Sequence, residues 1–161
     1  MDRRILRSLD PSILPTIQRL VVSTYKSPRA AEVENCQVFR TLSSTDNLRT
    51  LILTKCHNLP FIIALDPGKN SSKLVLCPNL VELVLYVKSP DQFRIRDLVG
   101  MTKKRASRGA KLSSITIVGL GELMPRKEVF ELRDHVSHVE YKVDNVSPDW
   151  DHLPGGGRFG G

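Results

Sequence analysis

One spacing of apolar residues recurs along this chain of 161 residues and limits the folds it can adopt. The fullest copy follows the pattern L-x-x-L-x-L-x-x-C-x-x-L, with these residues: Leu48, Leu51, Leu53, Cys56 and Leu59. Shorter copies of L-x-x-L-x-L begin at four other positions: Ile17, Leu80, Leu112 and Val136. Successive first residues are therefore 31, 32, 32 and 24 positions apart. A nearly constant step predicts stacked structural units, because one such unit cannot bury its apolar side alone.

Each copy predicts a strand of about six residues followed by a longer return segment. Because every strand returns through a crossover, we expect the strands to be parallel. The apolar spacing and the prolines near helix starts predict helices over these ranges: Arg29 to Leu42, Phe61 to Leu65, Asp91 to Arg108 and Arg126 to His135. In the last of these we expect Val129, Phe130 and Leu132 to face the core. The predicted fold class is therefore α/β, with a curved parallel sheet and outer helices.

The length suits one domain, which we divide by composition. Residues 1–15 form an N-terminal lead-in, residues 16–147 the repeats, and residues 148–161 a Gly-rich tail that we expect to be disordered. The apolar runs are too short to span a bilayer, and Met1 to Arg7 is not followed by the apolar stretch of a secretory signal. We therefore expect no membrane contact, a location in the cytoplasm or the nucleus, and three reduced cysteines.

The strand positions that alternate with the core residues are predicted to form an exposed face for a protein partner. The middle row of this face is Val21, Ile52, Val84, Thr116 and Glu140, and its apolar members suggest either a contact surface or a stripe that a terminal loop covers. The residues that we assign to partner binding come from three central strands: Thr50, Ile52, Thr54, Glu82, Val84, Tyr86, Ser114 and Thr116.

Basic residues are concentrated near the end of the third predicted helix. The cluster supplies +5 of the net charge of +7 and consists of Lys103, Lys104, Arg105, Arg108 and Lys111. The pattern alone leaves three interpretations open: a solvated helix end, a docking site for an acidic partner, and nuclear targeting or nucleic-acid contact. Ser107, in Arg105-Ala106-Ser107, also matches a short kinase motif.

Sequence motifs for catalysis or cofactor binding are incomplete. Gly68-Lys69 lacks the upstream glycine of a phosphate-binding loop, since Ile63 stands there, and Met124 replaces the third glycine of a dinucleotide fingerprint. The histidines at 135 and 138 straddle a predicted helix end and strand start, which does not favour a converging metal site. We therefore expect a protein that is not an enzyme and holds no cofactor or metal.

The irregular repeats resemble the C-terminal region of fungal F-box/leucine-rich-repeat proteins. The resemblance covers most of residues 10 to 150 and rests on three segments: Asn47 to Leu51, Cys77 to Leu85 and Gly109 to Ile115. It implies a leucine-rich-repeat solenoid of the ribonuclease-inhibitor-like kind, with about five irregular repeats. It also implies recognition of a protein substrate, because in that family an F-box binds the Skp1-type adaptor of a ubiquitin ligase and the repeats select the substrate.

The segment before the first repeat, Met1 to Pro15, is too short for an F-box. We therefore expect binding to the Skp1-type adaptor only if an F-box precedes this chain. Two alternatives remain at this point: a basic protein that associates with nucleic acid through Lys103 to Lys111, and a truncated gene product without independent function.

Overall fold

The computed structural model describes residues 12–23, 38–54, 58–70, 72–87, 95–119 and 126–143. Several expectations concern other parts of the chain and lie outside these residues. They are the lead-in up to residue 11, the tail over 148–161, the start of the first predicted helix, and Cys36 and Cys56.

The described residues form five strands, three α-helices and the helical segment 38–43, and strands and helices alternate along the chain. The strands are β1 Arg19–Ser23, β2 Thr50–Thr54, β3 Glu82–Val87, β4 Ser114–Gly119 and β5 His138–Val143. The helices are α1 Leu59–Leu65, α2 Ile95–Ser107 and α3 Arg126–His135. A 3-10 turn at Leu14–Thr16 precedes β1, and residues 38–43 are helical.

All five strands belong to one parallel sheet, and their order in space equals their order in the chain. The register joins the predicted middle row without a slip: Val21, Ile52, Val84, Thr116 and Glu140 are successive partners. The α/β class, the parallel arrangement and the register predicted from the repeat spacing are thus confirmed. A parallel sheet follows because each connection between neighbouring strands must cross over.

The helices agree with the predicted ranges where the structure describes them. The bounds of α3 are the predicted ones, and α2 lies within the predicted range. The first helix after β2 begins at Leu59, two residues before the predicted start at Phe61. Pro60 belongs to the first turn of this helix because the first N–H groups of a helix have no partner inside it.

The core lies on one side of the sheet, between the strands and the helices. The first residue of each of the three central copies is fully buried: Leu48, Leu80 and Leu112. Alternate strand residues follow them into the same cluster, as do Leu98 and Met101 of α2 and Leu132 of α3. Burial of such side chains is worth about 2 kcal/mol each, so this cluster is the main source of the fold's stability.

Phe130 does not face the core, contrary to the prediction. Its side chain is 62% exposed, and the guanidinium carbon of Arg133 lies 5.6 Å from the ring centroid. Val129 and Leu132 already supply the side of α3 that packs on the core. A helix buries only one stripe, and Phe130 lies beside that stripe.

The backbone entering β2, β3 and β4 repeats one hydrogen-bond pattern. A single carbonyl accepts the N–H groups of two consecutive residues of the next copy, at 2.8 to 3.0 Å. The carbonyls are those of Gln18, Arg49 and Val81, and the donor pairs begin at Arg49, Val81 and Ser113. The copies therefore share backbone geometry as well as apolar spacing.

Two asparagines tie the turns of neighbouring copies together. The side-chain amide of Asn47 donates to the Pro15 carbonyl at 2.6 Å, and that of Asn79 donates to the Asp46 carbonyl at 2.9 Å. Each asparagine directly precedes the first apolar residue of its copy. These bonds satisfy turn carbonyls that lie outside the regular strands.

Candidate functional site

The side of the sheet opposite the core, here called the strand face, carries most of the predicted partner-binding residues. Six of the eight are half-buried: Thr50, Glu82, Val84, Tyr86, Ser114 and Thr116. Their side chains alternate with the buried core residues along β2, β3 and β4. The sheet brings them together because the register places Glu82 beside Ser114, Val84 beside Thr116 and Tyr86 beside Val118.

The other two predicted residues, Ile52 and Thr54, are not exposed, which corrects their assignment to an accessible surface. Each side chain is only 1% exposed. Ile52 lies in register between Val21 and Val84, and the Thr54 hydroxyl donates to the Val22 carbonyl at 3.2 Å. Five of the six accessible predicted residues therefore lie on β3 and β4.

The strand face presents hydroxyl, carboxylate and aliphatic groups in parallel rows. Neighbouring strands are about 4.8 Å apart, so side chains of adjacent strands are within reach of one ligand side chain. On β5 the row continues with Glu140, which forms an ion pair with Lys142 at 3.4 Å. Mixed polar and aliphatic groups of this kind occur both in protein interfaces and on ordinary protein surface.

The predicted basic cluster is divided by the structure. Lys103 and Lys111 are exposed, whereas the other three members bind residues of the segment between α1 and β3. Lys104 Nζ lies 3.1 Å from Asp66 Oδ2, and Arg108 donates to the Lys73 carbonyl at 2.7 Å.

Arg105 is buried and is therefore not a member of a surface cluster. Its side chain is 0% exposed, and its two terminal nitrogens donate to the carbonyls of Leu76 and Cys77 at 2.7 and 2.8 Å. Its Nε has no hydrogen-bond partner within the described structure. Burial lowers the pKa of this guanidinium, because the charged form loses its hydration.

We call this set of contacts the clamp. It joins Lys104 and Arg105 of α2, and Arg108 just after the helix, to the segment over residues 66–77. Asp66 is completely buried and also accepts the backbone N–H of Gly68 at 2.7 Å. An ion pair between Lys69 and Asp97 joins the same segment to the first turn of α2. Since the described residues of this segment, 66–70 and 72–77, form no helix or strand, their carbonyls need other donors, some of which the clamp supplies.

Sequence reasoning missed the clamp, although one signal for it was present. Leu98, Met101 and Arg105 lie on one stripe of α2 at helical spacing, so the apolar pattern itself directs Arg105 inward. By charge alone, however, Arg105 is grouped with the neighbouring lysines, which predicts an exposed side chain. A buried cation with helical spacing to core residues indicates a structural bond to an irregular segment.

Cys77 lies at the end of the clamp, and its thiol is free and buried. Its Sγ donates to the Leu42 carbonyl at 3.3 Å and lies 3.5 Å from the Thr45 hydroxyl. Burial raises the pKa of this thiol from 9.0 to about 11. A thiol with a raised pKa is a poor nucleophile and a poor metal ligand at neutral pH, so Cys77 is a packing residue.

Within the described ranges, no group of three or more His, Cys, Asp and Glu residues is arranged to hold a metal ion. The helices of this part of the chain are also too short or too polar for a membrane crossing. No protein-family model, curated protein or solved structure matches the chain.

Proposed function

We propose that this chain is a leucine-rich-repeat solenoid that binds a protein partner through the strand face and has no enzymatic activity. The supporting observation is the repeated geometry: five parallel strands in chain order, joined in register at the sequence steps of the apolar pattern. Stacked repeats of this kind create an extended surface rather than a deep pocket. The half-buried residues of β3 and β4 are the central part of that surface.

The resemblance to F-box/leucine-rich-repeat proteins supports a finer proposal. The partner is then a protein selected for ubiquitin transfer in the cytoplasm or nucleus, and a Skp1-type adaptor binds an F-box carried on the same polypeptide. Immunoprecipitation of the endogenous polypeptide, followed by detection of the adaptor, tests this step. If the immunoprecipitate contains the protein partner but not the adaptor, the link to ubiquitin transfer is wrong and only partner binding remains proposed.

The strand face is tested by two substitutions that add charge to adjacent strands, Val84→Glu and Thr116→Glu. These positions are register partners and half-buried, so carboxylates there change the surface at its centre. We expect the doubly substituted chain to lose the proteins that the unmodified chain captures, because a buried carboxylate without a partner opposes association. Quantitative co-purification measures the loss.

Lys127→Glu is the matched control, since Lys127 is exposed on α3, away from the strand face. Ser114→Glu is tested in parallel as a milder single substitution on the same face. Circular dichroism establishes that each variant is folded. Equal capture by the folded strand-face variants and the control, or the absence of any specific capture by the unmodified chain, would contradict the proposal.

A further inference from the structure

Ser107 lies in the last turn of α2 and carries an exposed hydroxyl. Its Oγ donates to the Lys104 carbonyl at 2.8 Å. The residues two and three positions before it are Arg105 and Lys104. Serine kinases that select basic substrates recognise cations at these positions through charge complementarity.

We infer that Ser107 is a phosphorylation site for a basophilic serine kinase and that the clamp controls access to it. The hydroxyl is exposed, but the cations that such a kinase recognises are occupied. Arg105 is fully buried on the carbonyls of residues 76 and 77, and Lys104 binds the buried Asp66. Local opening of the clamp therefore precedes modification.

The transfer itself needs only Mg-ATP and the kinase. The Ser107 Oγ attacks the γ-phosphorus of ATP, an O–P bond forms, and the bond from that phosphorus to the bridging oxygen of ADP breaks. The hydroxyl proton passes to the carboxylate base of the kinase, and ADP leaves. Because that proton points to the Lys104 carbonyl in the folded chain, the hydroxyl must release this bond before it can align with ATP.

The phosphate then keeps the clamp open. It places about two negative charges at the carboxyl end of α2, where the helix dipole is also negative. The same group attracts Lys104 and Arg108, and each of these now binds the segment between α1 and β3. Phosphorylation of Ser107 thus competes with the contacts that hold residues 66–77, and it does so independently of partner binding at the strand face.

The test uses the catalytic subunit of cyclic-AMP-dependent kinase as the probe and mass spectrometry to measure phosphate on Ser107. A peptide spanning residues 101–111 serves as the unclamped substrate. We expect the folded chain to be modified at least about tenfold more slowly than the peptide, because it must open locally first. Asp66→Asn, which removes the partner of Lys104 but leaves the recognised cations, is expected to increase the rate several-fold.

Asp46→Asn is the matched control, since Asp46 is exposed and lies outside the clamp. Lys69→Ala, which removes the ion pair with Asp97, is a second opening variant if Asp66→Asn fails to fold. Equal rates for the folded chain and the peptide would overturn the gating, as would equal rates for the opening variants and the control. An unmodified peptide would overturn the site itself.

Discussion

Replacing Arg105 with methionine tests whether the clamp stabilises the fold. Methionine keeps an unbranched apolar stem but has no donor for the two carbonyls that Arg105 binds at 2.7 and 2.8 Å. Leu76 is buried, so its carbonyl, left without a donor, costs about 1–3 kcal/mol, whereas the Cys77 carbonyl still accepts the backbone N–H of Leu80 at 3.0 Å. Removing a buried cation recovers part of this cost, because the guanidinium no longer has to be desolvated. We expect a net loss of about 1 kcal/mol in the free energy of unfolding.

Urea denaturation followed by circular dichroism measures this loss. An unchanged dependence of the free energy of unfolding on urea concentration establishes that both chains expose the same surface area when they unfold. Lys103→Met is the control, since it removes an exposed cation from the same helix. The control is expected to change stability by less than about 0.5 kcal/mol. An Arg105→Met chain as stable as the control, or more stable than the unmodified chain, would refute the structural role of the guanidinium.

Three further predictions concern individual contacts. Burial raises the pKa of the Cys77 thiol from 9.0 in the unfolded chain to about 11 in the folded chain. As the pH rises above 9, the unfolded chain therefore loses this proton before the folded chain does. Stability at pH 11 should therefore be lower by about 2 kcal/mol, and Cys77→Ala should lack this loss in urea titrations across pH 8–11. Gly109 ends α2 with φ +79° whereas Gly100 lies inside the helix, and a Cβ at either position meets open space. Gly109→Ala should lower, and Gly100→Ala raise, the free energy of unfolding by about 1 kcal/mol; shifts of the same sign would contradict the backbone argument. Asn79→Ala removes the 2.9 Å bond to the Asp46 carbonyl and should cost about 1 kcal/mol, measured by thermal denaturation; an unchanged midpoint would show that solvent replaces the bond.

The sheet was predictable because its information is local and repeated. The spacing of apolar residues selects which side chains of a strand face the core, and the repeat step aligns each strand with the next. Leu51, Leu83 and Ile115 therefore came into register as predicted. The bounds of α3 followed in the same way from Pro125, which precedes the helix, and from its apolar stripe.

Exposure on the strand face was only partly predictable. Alternation along a strand identifies the side of the sheet on which a residue lies, but not whether that position is accessible to solvent. Ile52 and Val84 are register partners on the same side, yet Ile52 is 1% exposed and Val84 is half-buried. Alternation therefore predicted the side of the sheet for these residues, but Ile52 and Thr54 are not accessible there.

The sequence by itself determined the class of the fold, the strand order and the register, because these depend on apolar periodicity and on crossovers within each repeat. Helical spacing places Arg105 on the core side of α2, but only the tertiary structure decided which groups the basic residues bind. Arg105 is inside and Lys103 outside, although both belong to one run of cations. The difference arises because the irregular segment over residues 66–77 lies against one side of α2 and leaves carbonyls that need a donor. The environment of a charged side chain depends on segments that are distant in sequence, and the local run of cations gives no information about those segments.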